Sequence, residues 1–234
     1  MFSSRRPTGA GRALAEAVGA LVFAGACGGG GGSVPSMITV AGHVLTWNAV
    51  GGKPLAGANV AIYQSTGLSP VGSMATDNSG GFSIVVSTGG NAFDGYAQVT
   101  KQGYVDAYFQ PEAPWTEDDT AEQINTTNAL DQLDSACGVP AVNTTFTLFV
   151  EARDRADNPI VGAMTSIMPN ATPCYLTGGV PSTAGTETDS SGLSIYFNVT
   201  GTVSVDASAG ATIFNSHSVP FRSNTVTTTV VGAQ

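Results

Sequence analysis

Positive charge is scarce in this sequence. Eight Lys and Arg face 17 Asp and Glu across 234 residues, a formal net charge of −9, and the only lysines are Lys53 and Lys101. So few cations cannot neutralise a row of phosphates, which argues against nucleic acid as a partner. They also leave no basic face for anionic lipid headgroups. Histidine occurs only as His43 and His217, too few for a three-histidine zinc site, and there is no His-Glu-x-x-His stretch. No Gly-x-Ser-x-Gly nucleophile elbow appears. No catalytic residue, metal ligand set or cofactor can be named from these residues, and the sequence reads as a non-enzyme. Long Leu-, Glu- and Lys-rich periodic stretches are also missing. In their place stand 30 glycines, abundant Ser, Thr, Asn and Val, and 42% hydrophobic residues, a balance that builds a core from strands and turns rather than helices.

The N-terminus reads as an export signal. Arg5, Arg6 and Arg12 precede ALAEAVGALVFAGAC at 13–27, an apolar run ending in small residues and interrupted by Glu16. The run is shorter than the ~20 residues a bilayer span needs. Ala24, Gly25 and Ala26 directly before Cys27 resemble the lipobox of bacterial lipoproteins, with Ala24 where Leu is usual. That resemblance implies a signal peptide over 1–26, a lipid on Cys27 that holds the chain to a membrane, and a Gly/Ser tether over 27–36. Gly28, rather than Asp, after the lipidated Cys implies the outer membrane as address. The other reading is an ordinary signal peptide that leaves Cys27 a free thiol. With Cys27 lipidated, Cys137 and Cys174 remain as one pair in an oxidising compartment, where a disulfide between them is expected and two free thiols are the alternative.

Two landmarks repeat in the same order. KPLAGANVAIY (53–63) aligns with NPIVGAMTSIM (158–168) at an offset of 105, and TDNSG (76–80) aligns with TDSSG (188–192) at an offset of 112. The seven extra residues of the second copy fall in a Pro- and Gly-rich stretch around Cys174. Alternating strands follow the landmarks: Ile38, Val40 and Val44; Val60 and Ile62; Phe82, Ile84 and Val86; and later Leu193, Ile195, Phe197 and Val199; Val203 and Val205; Val226 and Val230. This pattern predicts sheets with one apolar and one wet face, paired as sandwiches. Within the repeated segments, Asp77 and Asp189 suit a turn, with Gly80 and Gly192 supplying positive φ beside Thr76 and Thr188. The competing reading is calcium ligation by the two aspartates, and it lacks the D-x-D-x-D-G spacing.

The stretch from Gly42 to Val105 (GHV, GKPLAGANVAIY, TDNSGGFSI, KQGYV) resembles the carboxypeptidase regulatory-like domain. The second copy keeps NPIVGA and TDSSG but lacks the aromatic after the Gly and the final Gly-Tyr. The resemblance implies an all-β chain of two tandem Greek-key, transthyretin-like, seven-stranded β-sandwiches. The first would span 37–110 and the second, divergent one 141–234. Between them, 111–140 holds seven acids and no base. It reads as an acidic linker, from which the closing strand of the first sandwich can also be drawn, with short helices in TEDDTAEQI and ALDQLDSA. Tyr104, Tyr108, Phe109 and Trp115 lie just before or inside it. They can stack on a sugar or anchor a protein partner, or they can be ordinary core packing, the reading favoured here. The expected function is a non-catalytic envelope lipoprotein presenting two sandwich modules for protein interaction or scaffolding. The alternatives are a carbohydrate-binding surface module and an accessory domain of an envelope enzyme or secretion complex. The partner is therefore an unknown envelope protein or glycan.

Overall fold

The computed structural model describes residues 33–140, 142 and 144–234. The expected signal peptide, Cys27 and residues 28–32 of the tether lie outside the described residues. Among the described residues, no helix is long and apolar enough to cross a membrane.

The chain is an all-β sandwich. Eight strands come first: β1 (Met37–Asn48), β2 (Gly51–Pro54), β3 (Asn59–Gln64), β4 (Pro70–Ala75), β5 (Gly81–Ser87), β6 (Gly95–Thr100), β7 (Ala107–Gln110) and β8 (Asp119–Thr126). A short helix, α1 (Leu130–Ala136), leads to β9 (Phe146–Arg153), β10 (Met164–Met168), β11 (Cys174–Thr177) and β12 (Val180–Ser182). Then come β13 (Leu193–Val199), β14 (Val203–Ser208), β15 (His217–Val219) and β16 (Val226–Gly232).

Three sheets result. In the first, β5 and β2 pair antiparallel along one side of β1, and β8 runs parallel along the other. The second is nine strands wide, in the order β12-β11-β13-β9-β16-β7-β6-β3-β4. The third is β10-β14-β15. The first sheet presents Ile38, Val40, Val44, Phe82, Ile84 and Val86 to Val60, Ile62, Ala97, Val99 and Phe109 of the second. The period of two along these strands places those side chains on one face each.

The second half departs from the expected wet and dry faces. The nine-stranded sheet meets an apolar layer on both sides of β9, β13 and β16. Phe149, Ile195 and Val226 join the core that holds Trp47 and Leu133, whereas Leu148, Val150, Tyr196 and Val231 join Ile167, Val203 and Val205 of the third sheet. Every residue of β9 is buried, and so are all but Asn198 in β13. A sheet covered on both faces has no solvent side and therefore no need to alternate. The same burial takes in Thr227 and Thr229, which alternation had placed on a wet face, together with Thr228 on the face of Val226 and Val230. Thr228 Oγ1 accepts from Asn125 N (3.0 Å) and Nδ2 (3.3 Å), and Asn125 Oδ1 accepts from Trp47 Nε1 at 2.6 Å. Thr229 Oγ1 donates to the Gln110 carbonyl at 2.6 Å. These bonds let polar side chains sit at the seam between the strands of the two halves.

The acidic stretch is structured. TEDDTAEQI does not form a helix; its larger part is β8, with Ile124 fully buried, because the parallel ladder on β1 satisfies its backbone and gives the isoleucine a core. ALDQLDSA forms α1, whose Leu133 is buried. Just beyond it, Cys137 is bridged to Cys174 at the start of β11, with Cα atoms 5.8 Å apart.

The repeated Thr-Asp-x-Ser-Gly segments form the same hydrogen-bonded clasp twice. Asp77 Oδ1 accepts from Ser79 N (2.8 Å), Ser79 Oγ (2.7 Å) and Gly81 N (2.8 Å); Asp189 Oδ1 accepts from Ser191 N (2.9 Å) and Oγ (2.6 Å). Thr76 Oγ1 donates to the Leu55 carbonyl (2.6 Å) and accepts from Ala58 N (2.9 Å). Thr188 Oγ1 does the same with Ile160 (2.6 Å) and Ala163 (2.9 Å). The threonine thus ties each hairpin to the Pro-aliphatic-x-Gly-Ala segment, which explains why the two landmarks travel together. Gly80 has φ +77°, and a Cβ there would stand 2.6 Å from the Val44 carbonyl oxygen; at Gly192 (φ +69°) it would stand 2.8 Å from that of Ala152. Gly80→Ala is therefore expected to destabilise the chain by roughly 2–4 kcal/mol, combining backbone strain and overpacking. Urea unfolding checks this, and a loss below ~1 kcal/mol would show that the clasp relaxes.

Candidate functional site

Where β7, β9 and β16 end and β8 begins, the chain builds an acidic cleft. Its floor comes from β9. Glu151 and Arg153, two residues apart, point to the same face of the strand. Arg153 Nη2 donates to Glu151 Oε2 at 2.9 Å and Nη1 to Asp157 Oδ1 at 2.8 Å. Asp157 takes φ +64° in a turn clamped by Asp154, whose Oδ1 accepts from Ala156 N and Asn158 N at 2.8 and 2.9 Å. Burial opposes charge on Arg153, but Glu151 first and then Asp157 outweigh it and raise its pKa. Burial pushes Glu151 up in spite of that partner.

The wall comes from the segment after β7. Trp115 exchanges two backbone hydrogen bonds with Phe93, at 2.8 and 3.0 Å, and their rings stack with centroids 6.0 Å apart. Its Nε1 donates to Asp119 Oδ2 at 3.1 Å. Glu112 accepts from Gly232 N at 2.7 Å and from Asn215 Nδ2 at 3.3 Å, and Asp118 Oδ1 accepts from Thr39 N at 2.7 Å. These bonds hold the carboxylates to the scaffold rather than leaving them to swing in solvent. The cavity beside them measures about 390 Å³ and has Phe109, Pro111 and Val230 among its apolar walls. A second hollow of about 450 Å³ shares Glu112, Trp115, Asp119 and Asp157 with it, adds Glu117 and Asp118, and is lined by no cation.

Glu122, on β8, lies against this cleft and is 4% exposed. Burial pushes its pKa well up; hydrogen bonding to Asp119 and that residue's charge push the same way, and Arg153 pulls it down. When ionised, its Oε2 has no hydrogen-bond partner. The folded pKa thus lies above the unfolded value. The stability carried by the neutral carboxyl is fully present below about pH 4.3 and is lost as pH rises through the folded pKa. Glu122→Gln, neutral at every pH, is expected to unfold at a higher temperature than the parent at pH 7 and to lose that advantage near pH 4. Melting curves across that range test this, and a glutamine variant less stable at pH 7 would refute it.

The four aromatics singled out in the sequence do not converge. Phe109 and Trp115 are 1% and 5% exposed and belong to the core, because both fall on inward-facing positions. Tyr108 points to the opposite face of β7. There Tyr63 and Tyr96 stack at 5.3 Å, and the Arg222 guanidinium lies 4.8 Å from the Tyr96 ring centroid and 4.6 Å from that of Tyr108. Tyr104 sits beside Lys101. The hairpin residues Thr76, Asp77, Gly80, Thr188, Asp189 and Gly192 are engaged in the two clasps. His43 is exposed, with Nδ1 3.3 Å from the Ser79 carbonyl oxygen, and His217 Nε2 bonds Thr229 Oγ1 at 2.7 Å. Among the described residues, no group of three or more His, Cys, Asp or Glu is placed to hold a metal ion. The buried Glu151–Arg153 pair had one sequence signal, charged residues at every second position ending an otherwise apolar strand, FTLFVEAR. Glu122 had none, since it stands in a run of solvent-type residues.

No family model matches the chain, and no curated protein matches it. Solved structures do. The chain is similar to the shaft pilin SpaA from Lactobacillus rhamnosus GG, at 11% identity and a TM-score of 0.27, over 85% of this chain and 98% of that one. It is similar to GBS52, the minor pilin of Streptococcus agalactiae, at 12% identity and a TM-score of 0.28, over 84% and 95%. The Bacillus anthracis TIE protein matches at 15% identity and a TM-score of 0.27; the match takes in 84% of this chain and 34% of that protein, about a third of its length. The assignment of the fold here rests on the strand pairing.

Proposed function

We propose that the chain is an exported, non-catalytic interaction module that offers its acidic cleft to a basic segment of a partner protein. The carrying observation is the cleft: carboxylates fixed by backbone and side-chain hydrogen bonds beside apolar walls, where β7, β9 and β16 end and β8 begins. A Lys or Arg of a partner would place its aliphatic stem on the half-buried Pro111 and Val230 and its charge among Glu112, Asp119 and Asp157. A protein is favoured over a glycan because Trp115 is buried, and the faces of Tyr96 and Tyr108 are occupied by Tyr63 and Arg222. In this reading each half of the chain is one carboxypeptidase regulatory-like module. Two observations support that. The clasp is duplicated, and β5-β1-β8, with its parallel β1/β8 pair, recurs as β13-β9-β16 with a parallel β9/β16 pair. Lipid on Cys27 and the glycine tether would hold the body off the cell envelope, at the outer membrane.

Carbodiimide coupling on intact source cells, followed by mass spectrometry, tests the reading, because it joins carboxylates to amines at zero length. The expected result is one reproducible protein joined through its lysines to carboxylates of residues 112–119, 154 or 157. No reproducible partner, or coupling spread over the whole surface, would sink it. The anchor is tested separately: palmitate labelling of the chain is expected to vanish in Cys27→Ser.

A further inference from the structure

Away from the acidic cleft, a cavity of about 270 Å³ opens between α1, the start of β9, the end of β13 and the approach to β16. Asp134 of α1 lines it. The residue is 2% exposed, and its Oδ1 has no hydrogen-bond partner. The charge acting on it among the described residues is that of Asp131, a second carboxylate, so the structure supplies it with no counter-ion. A buried carboxylate without partner or counter-charge is costly, and such groups in folded chains are normally compensated.

The rest of the cavity is built to complement a donor. Thr145, Thr147, Asn198, Asn224 and Thr225 bring hydroxyl and amide groups to the wall, and Val105, Leu130 and Val142 make its apolar part. The rim is held in place. Asn198 Nδ2 donates to the Pro140 carbonyl at 2.9 Å, Asn224 N donates to the Thr145 carbonyl at 2.9 Å, and Thr225 Oγ1 donates to the Arg222 carbonyl at 2.6 Å. Asn198 and Asn224 both take left-handed backbone, with φ +54° and +56°. Non-glycine residues adopt that conformation at a cost, and it clusters at ligand clamps.

We propose that this cavity binds a small organic cation bearing a primary ammonium group, with Asp134 as its counter-ion. An ammonium has three donors and no acceptor, which matches one carboxylate surrounded by Thr and Asn oxygens. The apolar side takes the carbon skeleton. At ~30 Å³ per heavy atom, as in liquid water, the cavity has room for roughly nine non-hydrogen atoms. A metal ion is a poorer match, since one carboxylate and neutral oxygens fall short of the usual hard-cation shell. Burial, with Asp131 adding to it, pushes the Asp134 carboxyl up to about 6, the behaviour of an acid that lacks its cation.

The test is calorimetric titration of the full chain with putrescine and ethanolamine, against tetramethylammonium at matched ionic strength. At least one primary amine is expected to bind saturably and to raise the melting temperature, with tetramethylammonium weaker. Asp134→Asn is expected to fold, to be at least as stable as the parent at pH 7, and to lose the binding at least tenfold. Backbone amide shifts of Asp134 and Thr147 in the parent protein report the same event without any substitution. The proposal is overturned if no amine saturates by concentrations on the order of 10 mM, beyond the weak end of specific binding. It is also overturned if Asp134→Asn binds as tightly as the parent, or if the shifts map elsewhere. This site does not depend on the acidic cleft, so either reading can fail alone.

Discussion

Cys137→Ala/Cys174→Ala is expected to lose about 4 kcal/mol of stability, from the loop-closure entropy of a bridge of this span. The two cysteines are 37 residues apart in sequence, and the loop between them carries β9 and β10. The bridge pins the segment after α1 to β11, near the end of the nine-stranded sheet, where β11 makes only a short ladder with β13. Both cysteines are nearly buried, at 9% and 7% exposed, so alanine leaves little new polar surface and the change acts mainly through the unfolded chain. Guanidinium unfolding of the double variant measures the loss, and reduction of the parent with a thiol should reproduce it. A loss under ~1 kcal/mol would mean that the unfolded state is already confined by other contacts.

Arg153→Ala is expected to cost about 3–5 kcal/mol at neutral pH, the usual penalty for breaking a buried ion pair from one side. Arg153 is the partner of both Glu151 and Asp157, and Glu151 is 4% exposed. Without the guanidinium, burial and then the charge of Asp157 govern Glu151, and its carboxyl pKa rises further above the unfolded value. The sign of the pH effect follows. The neutral acid is tolerated, so the deficit should be smallest below about pH 4.3 and should grow as pH rises and the carboxyl is forced to ionise. Glu151→Gln/Arg153→Met removes both charges at similar volume and is expected to recover most of the lost stability. Unfolding curves at pH 4 and pH 7 for the single and double variants decide the matter. An Arg153→Ala deficit that is equal at both pH values would show that the side chain acts by packing rather than charge. The same variant reaches the acidic cleft, since Asp157 would lose its anchor while keeping its charge.

Some elements were legible in the residues and others were not, and the difference has a physical cause. The period of two in ITVAGHV and FSIVV stands out because β1 and β5 each bury one face, so large apolar side chains recur at every second position. The Thr-Asp-x-Ser-Gly segments were legible as turns because an Asx turn and a left-handed glycine are satisfied within a few residues. What that local pattern does not contain is the reach of Thr76 to Leu55 and of Thr188 to Ile160. Those bonds need the hairpin and the preceding strand to be folded together. A closing strand drawn from 111–140 was an open alternative, but its place was not legible, because TEDDTAEQI has the composition of a solvated helix start and only the open side of β1 makes it a strand. For the aromatics, core packing was the favoured reading and holds for Phe109 and Trp115, but which rings go inward was not legible. A cluster in sequence says nothing of which face each ring takes, and Phe109 and Tyr108 point to opposite sides of the same strand. Glu122 was invisible because nothing local distinguishes a buried glutamate from its exposed neighbours.

By itself the sequence determined that the chain would be all-β, where its turns lie and which landmarks repeat. These follow from local stereochemistry, composition and counting. Tertiary structure decided that β7 and β16 lie side by side, so that strands of both halves merge into one nine-stranded sheet. It decided that β9 and β13 are buried on both faces, that threonines 227–229 sit in the interior, and that acids distant in the chain gather in one cleft. Each of those outcomes depends on which surface is left open once neighbouring strands have paired, and a segment's own residues cannot encode what will cover it.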